Sequence, residues 1–403
     1  MITLTREQFN ASFDADVVVL PLNTIAYGFN KGRMYVYNEC SAECQKEKPW
    51  LGIRHRSVET FSRFWVEEIH PYIVGKEHYY FVLCYADGFL ERTEFCVDER
   101  KPFAYDVKRF ADKFEIENID CGTTPILHKH RDVFCFARYK NDPLALLVPD
   151  PYFLEKWESK TFEEIDKTSI PFKDRDNKCI FRGKSTNGSE FHFLSAHDRR
   201  GQNPRQFLAA MDLNEEYFDV KDDFMTQADQ AKYKYILDID GHTTAWDGFR
   251  WKLYSGSVVL KHIGVYEQWY YKELRPFVHY VPVKNDFSDL VAMVEWCRAN
   301  QSKCLQISRN ARAFKKERLN YSTVVGEFRE RMVNYFRNTS YQKMDMPPEL
   351  ETLPELETGL EASPGPGIGA ALRDNRAALV LLFIAVAVAA VVLSGLYVAR
   401  KRR

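Results

Sequence analysis

A basic excess is the first thing this 403-residue chain lacks: 56 Lys and Arg stand against 57 Asp and Glu, a net charge of −1. Nucleic-acid binders carry a clear surplus of cations, so nucleic acid is not expected as a partner. Cysteine is sparse and odd in number, nine in all. Several lie inside apolar runs, Cys84 in "FVLCYA" and Cys135 in "VFCFA", and read as small buried hydrophobes of a reducing compartment. "CSAEC" at 40–44 has no second Cys or His pair at zinc-ligand spacing behind it, so no structural metal is expected. The opening "MITLTREQFNASFDADVVVL" lacks a basic segment followed by an apolar stretch, and no signal peptide is expected. No internal repeat is visible.

What is present is enough apolar material for a sizeable core, 45% hydrophobic and 14% aromatic, in a length that suits two domains. One long apolar run stands apart. "AALVLLFIAVAVAAVVLSGLYVA" at 377–399 holds 23 residues without a charge and is followed by "RKRR" at 400–403. At about 1.5 Å per helical residue it is long enough to span a bilayer. Residues 343–376 before it are rich in Pro, Glu and Gly and read as a flexible tether. The expectation is a single-pass membrane protein with a C-terminal anchor and the catalytic part facing the cytosol. The basic tail pulls the other way under the positive-inside rule and leaves a lumenal orientation open.

Before the tether, strand-like and helix-like segments alternate, the pattern of an α/β fold with parallel sheets. "YYFVLCYA" at 79–86 reads as a strand buried on both faces. "SVETFSRFWVEEI" reads as a helix with Val58, Phe61, Phe64 and Trp65 on one face. "VPDPYF" at 148–153 breaks the chain, which suggests domains at 1–150 and 151–342. Two doubly wound units facing a cleft are expected, with ligands beyond the carboxyl ends of the strands.

Three stretches carry the chemistry. "KYKYILDIDGHTTAWDGFRWKLYSGSVVLK" at 232–261 reads as strand, loop, helix, strand. Gly241 permits a tight turn, Thr243 or Thr244 can cap the helix, Gly248 allows close approach and Lys252 adds a cation; together they suit an anion such as a nucleotide diphosphate. Asp238 and Asp240 in the same stretch offer an alternative, since an Asp-x-Asp at a strand end can hold a divalent ion, and alternation points both side chains the same way. "FRGKSTNG" at 181–188 delivers Arg182, Gly183, Lys184, Ser185 and Thr186 into a loop, where a guanidinium, a free backbone, an ammonium and hydroxyls can meet phosphate. "CYADGF" at 84–89 sets Asp87 at the end of a buried strand, where a carboxylate can take a proton from an attacking hydroxyl.

The 232–261 stretch, followed by "YEQWYYKELRPFVHYVPVKNDFSDLVAMVEW", resembles the carboxy-terminal half of the family-90 glycosyltransferases. These include capsule-associated xylosyltransferases, Rumi-type protein O-glucosyltransferases and lipopolysaccharide-core sugar transferases. "FRGKSTNG" is similar to the family's strand-end Arg-Gly element, and "WDGFRWKLYSGSVVLK" looks closest to the lipopolysaccharide-core branch. "VLCYADGF" resembles the strand-Asp element that carries the family's base. The strong resemblance covers roughly 178–320.

The resemblance implies a GT-B-type fold of two Rossmann-like domains and an inverting transfer from a UDP-sugar without an Asp-x-Asp metal or any other cofactor. The implied acceptor is a glycan, a lipid-linked glycan or a glycoprotein. Asp87 would be the base. Arg182, Gly183, Lys184, Ser185 and Thr186 would line the donor phosphates. Asp240, Gly241, Trp246, Asp247, Gly248 and Lys252 would build the donor pocket, with Ser255, Gly256 and Ser257 beneath it and Glu267 nearby. The Ser-x-Arg element of the Rumi branch is missing, which leaves Arg250 and Lys252 as the two candidates for the diphosphate.

Overall fold

Two residues with positive φ, Lys31 at 49° and Gly32 at 81°, shape the start of the chain. They form the tight turn of a hairpin between β2 (Thr24–Asn30) and β3 (Arg33–Tyr37), because a two-residue turn matched to strand twist needs left-handed backbone at its centre. The computed structural model describes residues 2–13, 24–37, 58–73, 78–84, 133–140, 145–156, 158–184, 204–241, 243–244, 246–264 and 266–339. Around the hairpin lie β1 (Ile2–Thr3), β4 (His78–Cys84), β5 (Val133–Cys135) and β7 (Ala145–Leu147), in the order β1-β3-β2-β4-β5-β7. Between the last two in sequence, β6 (Arg138–Tyr139) pairs elsewhere. β2 runs antiparallel to both neighbours, while β4, β5 and β7 are mutually parallel.

Period-2 alternation sorts this sheet's side chains. Ile25, Tyr27, Phe29, Tyr79, Phe81, Leu83 and Phe134 face one core, shared with Val58, Phe61, Phe64 and Trp65 of the helical stretch that continues as a π turn over Trp65–Ile69. Ala26, Tyr35, Tyr80, Val82 and Val133 face the other, under Phe9 and Phe13 of α1 (Arg6–Phe13). The ring of Phe13 occupies the space over Gly28, where a Cβ would stand 2.3 Å from it.

The second sheet is wholly parallel: β8 (Asp176–Arg182), β9 (Phe218–Lys221), β10 (Tyr233–Asp238), β11 (Val258–His262) and β13 (Val281–Val283), in the order β13-β11-β10-β8-β9. The short β12 (Tyr266–Glu267) leaves it to pair antiparallel with β6. The helices are α2 (Pro151–Leu154), α3 (Glu158–Lys167), α4 (Pro204–Ala210), α5 (Gln227–Gln230), α6 (Gly248–Tyr254), α7 (Leu290–Ala299), α8 (Gln301–Glu317) and α9 (Tyr321–Asn338). They cover both faces, as a parallel sheet requires. Leu290, Val294 and Cys297 of α7 and Ile307 of α8 pack on Tyr235, Leu237 and Leu260. On the reverse face, Trp251 and Tyr254 of α6 and Ile165 of α3 pack on Ile180 and Ile236. The stretch "YEQWYYKEL" supplies β12 and one short turn at Tyr271–Glu273.

Helix α9 returns to the first sheet. Val324, Val325, Phe328, Met332 and Phe336 join its core, and Phe336 lies 4.7 Å from the Tyr79 ring. Each such side chain contributes about 1.5–3 kcal/mol by leaving water. Met1–Pro354 form one compact unit, and the remaining unit, Glu355–Arg403, lies outside the described residues.

Two expectations are corrected. The fold is mixed α/β with parallel sheets, but it is not a pair of doubly wound units plus a transmembrane helix, because the Lys31-Gly32 hairpin makes the first sheet mixed. Among the described residues no helix is long and apolar enough to cross a membrane. The structure therefore does not support the C-terminal anchor, the membrane partner or the single-pass localisation; the 377–399 segment itself lies outside the described residues. So do the tether at 343–376, the 400–403 tail, Asp87, Ser185 and Thr186.

Candidate active site

In the parallel sheet, numbering its own five strands in chain order gives 2-1-3-4-5. Sheets of that order bind ligands where the winding reverses, beyond the carboxyl ends of the first and third strands. Those are β8 and β10, which end at Arg182 and Asp238.

The edge of β10 carries a buried charge network. Asp238 pairs with Lys261 on the adjoining strand, and Lys261 Nζ lies 2.8 Å from Asp238 Oδ2 and 2.5 Å from Asp240 Oδ1. Lys252 meets Asp238 from α6, since helix side chains lean back toward the amino end. Two carboxylates thus face two ammonium groups. Burial opposes charge on all of them, but the lysines outweigh it at Asp238, whose carboxyl sits well below the usual range. Burial likewise opposes charge on Lys261, and its two carboxylates outweigh it and hold the ammonium above the ordinary lysine range. For Lys252 burial wins, and its pKa is lowered. Arg205, from α4, adds a further cation by donating to the carbonyls of Asp240 and Ile239, each at 3.1 Å.

Next to this edge lies a cavity of about 160 Å³, lined among others by Lys140, Lys261, Glu267, Tyr271, Lys272 and Tyr280. Glu267 is fixed by Arg138, whose Nη2 and Nε lie 2.7 and 2.9 Å from Oε1, across the β6–β12 pair. Lys140 Nζ donates to the carbonyl of Gly264 at 2.7 Å. The cavity is therefore walled by both halves of the chain.

The Gly241–Gly248 turn joins β10 to α6. The Gly241 amide donates to the carbonyl of Thr243 at 3.0 Å. Thr244 does not cap α6 but meets the hydroxyl of Tyr271; Asp247 stands at the N-cap without a side-chain cap bond. α6 has only seven residues, which shortens the dipole on which an anion site at its start would rest. Among the described residues, nothing beyond its chain neighbours and the backbone of its own helix lies within 4 Å of where a Cβ on Gly248 would stand. Trp246 adopts φ +78°, a left-handed conformation that costs a residue with a side chain about 1–2 kcal/mol. Its ring packs 5.9 Å from Phe136 and 5.3 Å from Tyr152.

Other expected residues face elsewhere. The Arg182 guanidinium turns back onto β9, 2.7 Å from both Asp219 and Asp223, and donates to the Asp219 carbonyl at 2.6 Å. Burial opposes charge on Asp219, but Arg182 and Tyr233 outweigh it and hold the carboxyl at about 2. Gly183 follows, with Phe181 and Arg205 close to where its Cβ would stand. Lys184 is exposed, 3.5 Å from Asp222. Arg250 is fully buried and paired with Asp150, away from Lys252 as two-residue helical spacing requires. Ser255, Gly256 and Ser257 lie at the amino ends of the strands, on the opposite edge from Asp240. There Arg175 donates to the Ser255 carbonyl at 3.2 Å and to Ser257 Oγ at 2.9 Å. Gly256 has φ +76°, and its Cβ would stand 2.9 Å from the Arg175 guanidinium.

The structure thus brings together Asp240, Gly241, Trp246, Asp247, Gly248, Lys252 and Glu267, and adds Lys261, Arg205, Arg138, Gln268 and Asp150. Lys261 had a signal in the sequence: it ends "SVVLK" on the strand after Asp238. Asp150 read only as part of a chain break, although Asp-Pro is also a helix start. It is the N-cap of α2, accepting from the Phe153 amide at 3.2 Å.

By topology this half is a doubly wound α/β sheet with a charged switch-point edge. The glycosyl transferase family 90 model matches residues 151–356, just over half of the 403, and the chain belongs to that family. The resemblance read from 178–320 is thereby shown. An uncharacterized protein, 179R of Invertebrate iridescent virus 6, is 36% identical over 121 residues, 28% of this chain and 9% of that protein. Protein O-glucosyltransferase 3 of Rattus norvegicus is 28% identical over 174 residues, 40% of this chain and 33% of the other. Protein O-glucosyltransferase 1 of Homo sapiens is 25% identical over 181 residues, 42% and 44% of the two chains. The aligned stretches cover less than half of each of these relatives.

Proposed function

We propose that this protein is an inverting glycosyltransferase that moves a glucose, galactose or xylose from a UDP-sugar to a hydroxyl of a glycan, a lipid-linked glycan or a glycoprotein. The names of the protein O-glucosyltransferases favour glucose and a protein hydroxyl among these. The observation that carries the reading is the cavity beside the switch-point edge, lined by Lys261, Glu267 and Tyr271, with Asp240 paired to Lys261 behind it. At about 160 Å³ it is below the range of pockets that enclose a whole drug-sized ligand, and it suits a single sugar ring. Carboxylates and ammonium groups can accept from and donate to sugar hydroxyls, while Tyr271 and Tyr280 offer apolar ring faces.

In this reading the nucleotide lies across the β8–β10 switch point. Arg205 is a further cation beside the balanced set of two aspartates and two lysines and lends positive potential where the diphosphate gains charge as it leaves; preorganised charge of this kind is usually the largest single contribution to such catalysis. Asp87 takes the proton of the attacking hydroxyl. Transfer needs no divalent ion: Asp238 and Asp240 already have Lys252 and Lys261 as counter-charges, so the pair has no net negative charge left for a cation to neutralise.

The test is UDP release by the purified protein from UDP-glucose, UDP-galactose and UDP-xylose, with and without EDTA. Release from one donor, unaffected by chelation, is expected. Release abolished by EDTA would return Asp238 and Asp240 to a metal. No release and no UDP binding would overturn the reading.

A further inference from the structure

Gln268 follows β12, is 1% exposed and uses both ends of its carboxamide. Its Nε2 donates to the carbonyl of Thr244 and, at 3.1 Å, to that of Trp246. Its Oε1 accepts from Arg250 Nη1 at 3.4 Å. Arg250 is itself held by Asp150, with Nη2 3.0 Å from Oδ1 and a second contact between Nη1 and Oδ2. Asp150 and Arg250 are both 0% exposed. The Arg250 guanidinium also lies 5.6 Å from the Phe153 ring, so its plane is fixed from two directions.

The chemistry of the chain is specific. Two carbonyls two residues apart converge on one nitrogen, and an amide N–H₂ has one hydrogen for each. The other end must accept from a guanidinium. A carboxamide is the side chain that donates twice and accepts at once; a carboxylate cannot donate and an ammonium cannot accept. One of the two anchored residues is Trp246, two positions before α6, whose left-handed backbone persists only where its surroundings over-determine it.

We infer that Gln268 is a positioning residue, locked by the Asp150–Arg250 pair, that holds the backbone of Thr244 and Trp246 in the arrangement the donor meets. It acts through the carbonyls of Thr244 and Trp246 and touches no reacting atom. This inference rests on the reading of the β10–α6 turn as part of the donor site. It gives Arg250 a task away from the diphosphate, and it ties the turn to Asp150 at the end of the first half of the chain.

The test is Gln268→Glu, which keeps an acceptor for Arg250 and removes both donors. The KM for the UDP-sugar that the release assay selects should rise by about tenfold or more, the scale of losing a buried hydrogen-bond pair, while kcat for that release changes far less. Amide hydrogen exchange in peptides covering 241–248 should quicken, and β10 should stay protected. Asp150→Asn provides a second route with the same two readouts should Gln268→Glu not fold. A folded variant with unchanged donor KM, or exchange that quickens evenly across the protein, would overturn the inference. If the wild type itself fails to bind UDP, the functional reading falls first. The exchange measurement then still decides whether Gln268 holds the turn.

Discussion

Lys261→Met removes the ammonium that touches both aspartates while keeping its length and apolar stem. Asp238 retains Lys252 and Arg205 stays nearby, but Asp240 loses an ammonium at 2.5 Å, and the two carboxylates keep fewer counter-charges. Breaking a buried ion pair from one side costs about 3–5 kcal/mol. The sign of its pH dependence is set by the residue types. In the wild type the folded pKa of Asp238 is depressed, so its stabilisation is present above the unfolded carboxylate value and is lost as pH falls through that value and below. In the variant, like charge raises the pKa of at least one of the pair, and protonation then relieves the penalty. The deficit of the variant should therefore be widest near neutral pH and narrow toward about pH 4. Urea unfolding of both proteins at several pH values measures it directly. Adding Asp240→Asn should restore much of the loss, because it removes the stranded charge. A deficit below about 1 kcal/mol, or one that does not change with pH, would refute the network as described.

Two further outcomes separate structural from ligand-binding roles. Arg182→Ala should lower stability by about 1–3 kcal/mol by removing the guanidinium from Asp219 and its carbonyl, with UDP affinity by calorimetry unchanged; reduced affinity at full stability would turn the guanidinium toward the ligand. Gly28→Ala should cost about 1–3 kcal/mol through its clash with the Phe13 ring, partly recovered by Phe13→Leu, and a fully stable Gly28→Ala in urea unfolding would show that the ring has room to move.

The parallel sheet was legible because its signals are local. Alternating segments of strand and helix length mark the crossovers, and charged residues at strand ends mark the binding edge. That is how Asp240, Gly241, Gly248 and Lys252 could be placed near one another; Glu267 came only from the family resemblance. Arg182 and Arg250 misled for a common reason: a guanidinium at a strand end or helix start suits phosphate and carboxylate alike. Which it meets depends on Asp219 and Asp223 in one case and on Asp150, 100 residues away, in the other. Ser255, Gly256 and Ser257 are close in sequence to Lys252, and Ser255 Oγ donates to the Lys252 carbonyl at 2.6 Å, yet they sit at the carboxyl end of α6 while the Lys252 side chain leans back along the helix to Asp238. The Lys31-Gly32 hairpin was readable from its turn residues and was missed because the alternation elsewhere pointed to parallel strands. Gln268 had no signal at all, since its role exists only once three separate segments have met.

Helix α9 has a consequence for the order in which this chain can fold. Its Arg329 reaches Glu68 across 261 positions, and its apolar face completes a core begun by the first strands. Contacts so distant in sequence form late, after the entropy of closing the intervening chain has been spent. During synthesis the face of the first sheet that carries Tyr79 and Phe81 must wait, covered only in part by the Val58–Ile69 helical stretch, until residues beyond the whole parallel sheet have emerged. The earliest part of the molecule to be made is thus among the last to be finished, and its exposed aromatic face is the place where a holding chaperone would have the longest time to act.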